Sequence, residues 1–125
     1  MNSRKLSKAT ALAIVALITV AAMGLQAIGG DVTGPNLHKD QVLANHTDIY
    51  EITFEGDEKA IVAVIGDGDT DLDLFIYDEN DNLIGEDTDL TDRCSVEWTP
   101  SWTGKYSIKV KNLGSVYNEY IFITN

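Results

Sequence analysis

Four aspartates, Asp67, Asp69, Asp71 and Asp73, stand at every second position where a loop runs into an apolar stretch. Carboxylates in such a run are hard oxygen donors, and calcium is the ion that takes six to eight of them. On an extended chain two carboxylates one residue apart on a face lie roughly 7 Å from each other. Their repulsion is about 0.6 kcal/mol in water and about 2.4 kcal/mol at an effective dielectric of 20. Several such pairs favour capture of a cation, so Ca2+ is the cofactor expected at Asp67, Asp69, Asp71 and Asp73. The competing reading is a solvated acidic loop that tolerates its own charge. An EF-hand is excluded: the sixth position, which should be glycine, is Leu72, and the twelfth, which should be glutamate, is Asp78.

A second acidic run, Glu86, Asp87 and Asp89 with Asp92, supplies further ligands if its loop folds beside the first. The plainer reading is a mobile charged loop. His38 and His46 have no cysteine and no third histidine near them, too few donors for a transition metal, and read as exposed side chains of an irregular segment. Ser95, Ser101, Ser107 and Ser115 lack the glycine pattern of a nucleophile elbow. Carboxylate pairs are so abundant that they cannot mark a glycosidase, which also needs a groove that a chain this short has little material to build. The expectation is a protein that is not an enzyme. Phe75, Tyr77, Trp102 and Tyr117 are candidate partner-binding residues, because aromatic side chains suit contact surfaces. The alternative is that they plug the ends of the fold or pack under loops.

What must position these residues is a set of strands. Leu72, Leu74 and Ile76 alternate with Asp73, Phe75 and Tyr77; Tyr50, Ile52 and Phe54 alternate with Glu51, Thr53 and Glu55. The apolar run 60–65 has the continuity of a strand buried on both sides. Cys94, Val96 and Trp98 share one parity, and Tyr106, Ile108 and Val110 alternate with Lys105, Lys109 and Lys111. Turn-forming residues separate these runs, notably the stretch 78–82 and Pro100 to Gly104. Strands are predicted to begin near residues 48, 60, 71, 83, 93, 104 and 117. The segment 28–47 reads as a polar leader with at most one short edge strand around 41–44. Regular spacing without a helical period predicts an all-β, antiparallel β-sandwich of seven to eight strands, jelly-roll-like, over residues 48–125. The expected core is Ile52, Phe54, Val62, Val64, Leu72, Leu74, Ile76, Val96, Trp98, Tyr106, Ile108 and Val110.

Residues 1–27 read as a signal peptide: Arg4, Lys5 and Lys8 precede an apolar stretch from Ala11 to Ala22, and small residues follow at Gly24, Ala27, Gly29 and Gly30. Cleavage is expected after Ala27, with Gly29 as the alternative site and an uncleaved anchor as the alternative fate. All 20 acidic residues lie beyond this segment but only six of the nine basic ones do, a formal −14 for the remainder. Such a charge excludes nucleic acid as a partner. The single cysteine, Cys94, rules out an intrachain disulfide, and its parity predicts a buried thiol.

The order Asp71-Leu-Asp-Leu-Phe-Ile-Tyr-Asp78, then Asn80 and Asn82-Leu83, Val96-Glu-Trp-Thr-Pro100, Gly104-Lys-Tyr-Ser-Ile-Lys-Val110 and Tyr120-Ile-Phe-Ile-Thr124 resembles the bacterial pre-peptidase C-terminal domain. The resemblance covers residues 48–125. It implies a β-sandwich accessory module, usually attached to an exported hydrolase and serving secretion or substrate attachment. It also implies kinship with the collagen-binding domains of clostridial collagenases, which bind calcium. No peptidase precedes the module in this chain, so the usual host activity does not carry over. The expectation is an exported, non-catalytic module, periplasmic, secreted or on the cell surface, that binds a protein or polysaccharide or assists a secreted hydrolase. A self-assembling structural protein of the envelope and a small inhibitor or chaperone of a hydrolase are the alternatives.

Overall fold

Each alternating run becomes a strand in the computed structural model, which describes residues 36–125. The strands are β1 (Asn36–Val42), β2 (Thr47–Phe54), β3 (Ala60–Gly66), β4 (Leu72–Tyr77), β5 (Leu83–Asp87), β6 (Arg93–Trp98), β7 (Gly104–Asn112) and β8 (Asn118–Thr124). They form two four-stranded sheets in the orders β1-β8-β3-β6 and β2-β7-β4-β5. Every neighbouring pair is antiparallel. Two such sheets packed face to face make a β-sandwich with jelly-roll strand order. The signal-peptide reading of residues 1–27 and the first part of the leader lie outside the described residues. Among the described residues no helix is long and apolar enough to cross a membrane.

The inward faces meet in one core. All of the expected core residues belong to it, Trp98 being only partly buried, and Val42, Ala60, Cys94, Tyr120 and Phe122 complete it. Phe54, Trp98 and Tyr106 pack as an aromatic group with ring centroids 5.0, 5.9 and 5.2 Å apart. Such pairs add to the plain burial of their area. The apolar run of β3 is explained by its central place: Val62 and Val64 enter the core, while Ala63 joins Ile123, Leu37, Ile65 and Ile121 in a second cluster on the outward face.

One expectation needs correction. The segment read as a polar leader holds a full strand, β1, which pairs with β8 over its whole length from Asn36↔Thr124 to Val42↔Asn118. As an edge strand it needs only one buried flank, and its inward positions combine Asn36 and His38 with a single aliphatic, Val42, so the sequence shows no aliphatic stripe. His38 accordingly is no exposed residue of an irregular stretch. It is half-buried on β1, edge-on to Tyr50 at 5.9 Å, with Nε2 3.4 Å from Asp40 Oδ2.

Candidate functional site

Antiparallel connectivity sends four loops to one end of the sandwich: β1–β2 (43–46), β3–β4 (67–71), β5–β6 (88–92) and β7–β8 (113–117). Backbone bonds stitch them side by side. Asn45 N–H donates to Gly114 O at 3.1 Å, Leu113 N–H to Asp71 O at 3.0 Å, and Leu72 N–H to Thr91 O at 3.3 Å. Three buried side chains tighten the weave. Asn112 Nδ2 donates to the carbonyls of Val42, Leu43 and Val116 at 3.3, 3.2 and 2.8 Å. Asn118 Nδ2 donates to Thr70 Oγ1 and to Asp92 Oδ2, both at 3.0 Å, and the same Asp92 oxygen accepts Gly68 N–H at 2.6 Å. Gly68 sits at φ +93°, a backbone angle that glycine adopts without strain. Any side chain at Gly66 would collide with the Asp92 carboxylate. The sequence pattern does not single out Asn112 or Asn118, and only their complete burial shows them to be hubs.

The four alternating aspartates are divided by this weave. Asp67 turns toward β8, where its Oδ1 accepts Asp69 N–H and its Oδ2 accepts Glu119 N–H, each at 3.0 Å. Both of its oxygens are thereby engaged, and Asp69 is exposed beside it. Asp71 and Asp73 stand apart from that pair. Each has an Oδ1 that is buried and without a hydrogen-bond partner. Asp73 lies on the outward face of β4, opposite Lys111 of β7, with only 8% of its surface exposed. Burial raises its carboxyl pKa first; the nearby Asp71 charge adds to this, Lys111 opposes it, and Asp87 and Asp89 add more, leaving it at about 6. The Asp71 carboxyl is raised as well, by burial and then by Asp89 and Asp92.

The second acidic run folds beside the first. Asp87 ends β5 and is 1% exposed, its Oδ2 accepting Ser95 N–H from the edge of β6 at 3.0 Å. Asp89 is held by Thr91, whose N–H and Oγ1 both donate to Asp89 Oδ1 at 2.9 Å. Among the described residues no three His, Cys, Asp or Glu side chains converge closely enough to enclose a metal ion as they stand. The fit to calcium is thus partial. The unpartnered oxygens of Asp71 and Asp73 suit it, and the engaged oxygens of Asp67 do not.

The four aromatic residues do not share a surface. Phe75 and Tyr77 are half-buried on the outward face of β4, where Lys109 Nζ sits 4.7 Å above the Tyr77 ring. Trp102, 50% exposed, belongs to the β6–β7 loop at the opposite end. Tyr117, 49% exposed, belongs to the loop end, beside Leu43, Leu113 and Val116, apolar residues that the sequence pattern did not single out.

No protein-family model and no curated protein matches the chain. Solved structures do. The pre-peptidase C-terminal domain of a Bacillus anthracis collagenase matches at TM-score 0.66 and 13% identity, covering 82% of this chain and 99% of that one. The Yersinia pseudotuberculosis-derived mitogen matches at 0.55 and 9% identity, over 75% and 86% of the two chains. A periplasmic inhibitor of g-type lysozyme from Aeromonas hydrophila matches at 0.50 and 13% identity, over 76% and 94%. The likeness establishes the fold, that of the pre-peptidase C-terminal domain.

Proposed function

We propose that the chain is an exported, non-catalytic binding module whose loop end is its contact surface, and that calcium held between Asp71 and Asp73 stiffens that end. The observation that carries the reading is the pair of buried, unpartnered carboxylate oxygens of Asp71 and Asp73, set among further aspartates. A buried acceptor left without a partner costs about 1–3 kcal/mol, more when charged, so the folded chain gains from anything cationic that reaches it. Asp89, whose charge acts on both carboxyls, adds to the set, and waters fill the rest in weak sites of the extracellular class. The fold supports the non-catalytic part of the reading: one relative in shape is the C-terminal domain of a collagenase and another a periplasmic lysozyme inhibitor.

Thermal melting in millimolar calcium against chelator, at matched ionic strength, tests the calcium part. A ligand that binds only the folded form adds about 2.7 kcal/mol at a hundredfold excess over its dissociation constant. The melting temperature rises with calcium, and Asp71→Asn with Asp73→Asn removes the rise. Equal shifts with magnesium or sodium assign the effect to screening, and identical curves in calcium and chelator end the calcium reading.

A further inference from the structure

The loop end carries side chains that folding does not ask for. Leu43 is 51% exposed, Leu113 44%, Val116 51% and Tyr117 49%. All four come from the two loops that Asn112 ties together, which gathers them at one end of the sandwich as an apolar ledge. Large apolar side chains exposed together at one end suit a place of contact. The ledge borders the acidic loops directly, because Leu113 N–H is bonded to Asp71 O and the Thr70 side chain lies against Gly114. Next to the ledge stand the unpartnered Oδ1 atoms of Asp71 and of Asp73, the latter more than nine-tenths buried.

We propose that this end docks a stretch of another protein in which basic and apolar side chains occur together. The proposal rests on the binding-module reading above, but not on calcium. A lysine or arginine at the rim beside Asp71 and Asp73 answers the uncompensated negative charge of the two carboxyl groups, and charge-assisted pairing is the stronger class of such bonds. The apolar neighbours of that residue then cover Leu113, Val116 and Tyr117. Charge selects the partner in advance: a chain with formal net charge −11 attracts a basic surface and repels an acidic protein or an anionic membrane. The surface is also pre-formed. Asn112, Asn118 and Asp92 hold the loops from beneath, so little ordering is left to be done on docking.

Fluorescence anisotropy with short synthetic peptides tests this, in chelator throughout so that calcium plays no part. The probes are an alternating lysine–leucine octapeptide and a lysine–serine octapeptide of equal charge. The lysine–leucine probe is expected to bind about tenfold more tightly, since only it covers the ledge. Leu113→Ser with Val116→Ser is expected to bring the two probes level, and Tyr117→Ser alone to close part of the gap. These side chains are half exposed, and an unchanged melting temperature confirms that the fold is kept. Asp71→Asn with Asp73→Asn weakens both probes and flattens their salt dependence. Equal affinity of the two probes for the unmodified chain, or a ledge variant that binds like it, overturns the proposal. Capture of the chain by neutral phosphatidylcholine vesicles through the ledge also overturns it, by assigning the apolar surface to lipid. A calcium melting experiment without a shift, alongside intact peptide discrimination, removes the calcium site and leaves the docking surface standing. The reverse pair of results removes the docking surface alone.

Discussion

Replacing Asp73 by asparagine should stabilise the protein at neutral pH. The residue keeps 8% of its surface, yet it sits on the outer face of a sheet, where the surroundings are wetter than the core. Its carboxyl is raised from 3.8 to about 6, by burial first and then by the charges around it. A shift of about two units corresponds to about 3 kcal/mol at 1.36 kcal/mol per unit, and solvent screening on an outer face reduces this to about 1–1.5 kcal/mol. The sign follows from linkage. Between the unfolded value of 3.8 and the folded value of about 6, the folded state binds more protons than the unfolded. This group's contribution to stability is therefore complete below 3.8 and is lost as pH rises through 6. Asparagine has nothing to lose there. Urea denaturation of both proteins in chelator, at pH 3.5, 5 and 7.5, reads the difference: close to zero at the lowest pH and about 1–1.5 kcal/mol in favour of Asp73→Asn at the highest. An asparagine variant that is less stable at pH 7.5, or a difference that does not grow with pH, refutes the account of the site as strained by its own charge.

Other perturbations probe the frame around the site. Leu74→Ala, at a fully buried position on β4, should cost about 2–5 kcal/mol in chemical denaturation. Asn112→Ala strands the carbonyls of Val42, Leu43 and Val116 and should cost about 2–3 kcal/mol, while amide exchange speeds up in the β1–β2 and β7–β8 loops. Tyr120→Phe removes the hydroxyl that donates to Asp48 Oδ2 and meets Tyr50 OH, both at 2.6 Å, and should cost about 1.5–3 kcal/mol. Cys94, whose Sγ lies 3.1 Å from Leu72 O and whose pKa is raised chiefly by burial, should resist thiol reagents until the protein unfolds.

The sandwich was legible wherever one face is apolar and the other is not, because a period of two has a single structural meaning there. Strands β2, β4, β6 and β7 announce themselves in this way. Strand β1 does not. Its inward contacts include His38 against Tyr50, and Tyr50 is in turn stacked on Phe122 at 4.1 Å, so its burial depends on aromatic partners from strands far away in sequence. The candidate site was legible by half for a related reason. Alternation marks Asp71 and Asp73 as neighbours along one strand. Nothing local brings Asp87, Asp89 and Asp92 to them; that takes the return of the chain through β5, fixed by Leu74↔Asp87 and by the bond from Leu72 N–H to Thr91 O. The apolar ledge was hidden because Leu113 and Val116 sit among turn residues, where a lone aliphatic carries no periodic signal.

Strand β4 carries Asp73 near its start and is followed by Asp78, and the fold uses the two in opposite ways. Asp78 closes the strand by capping its own turn. Its Oδ1 accepts the N–H groups of Asn80 and Asn82 at 2.8 and 2.9 Å, and its Oδ2 accepts Asn82 Nδ2 at 3.1 Å. Hydrogen bonds to the charged form, led by the Asn82 backbone, hold that carboxyl below its ordinary value. Its contribution to stability is thus present above 3.8 and fades as pH falls through its lowered folded value. Asp73, two residues from the start of the loop end, is pushed the other way and has an oxygen with no partner. A carboxylate that stabilises the turn is explained by folding; one that weakens the strand carrying it is not, and it asks for a cation from outside the chain. The same substitution at the two positions should therefore have opposite signs. Asp78→Asn should lower the midpoint of urea denaturation at pH 7.5, with the deficit shrinking in acid below 3.8, while Asp73→Asn raises the midpoint. Two shifts of the same sign at pH 7.5 would mean that charge on β4 is handled alike at both ends, and the case for a binding site at the loop end would lose its physical basis.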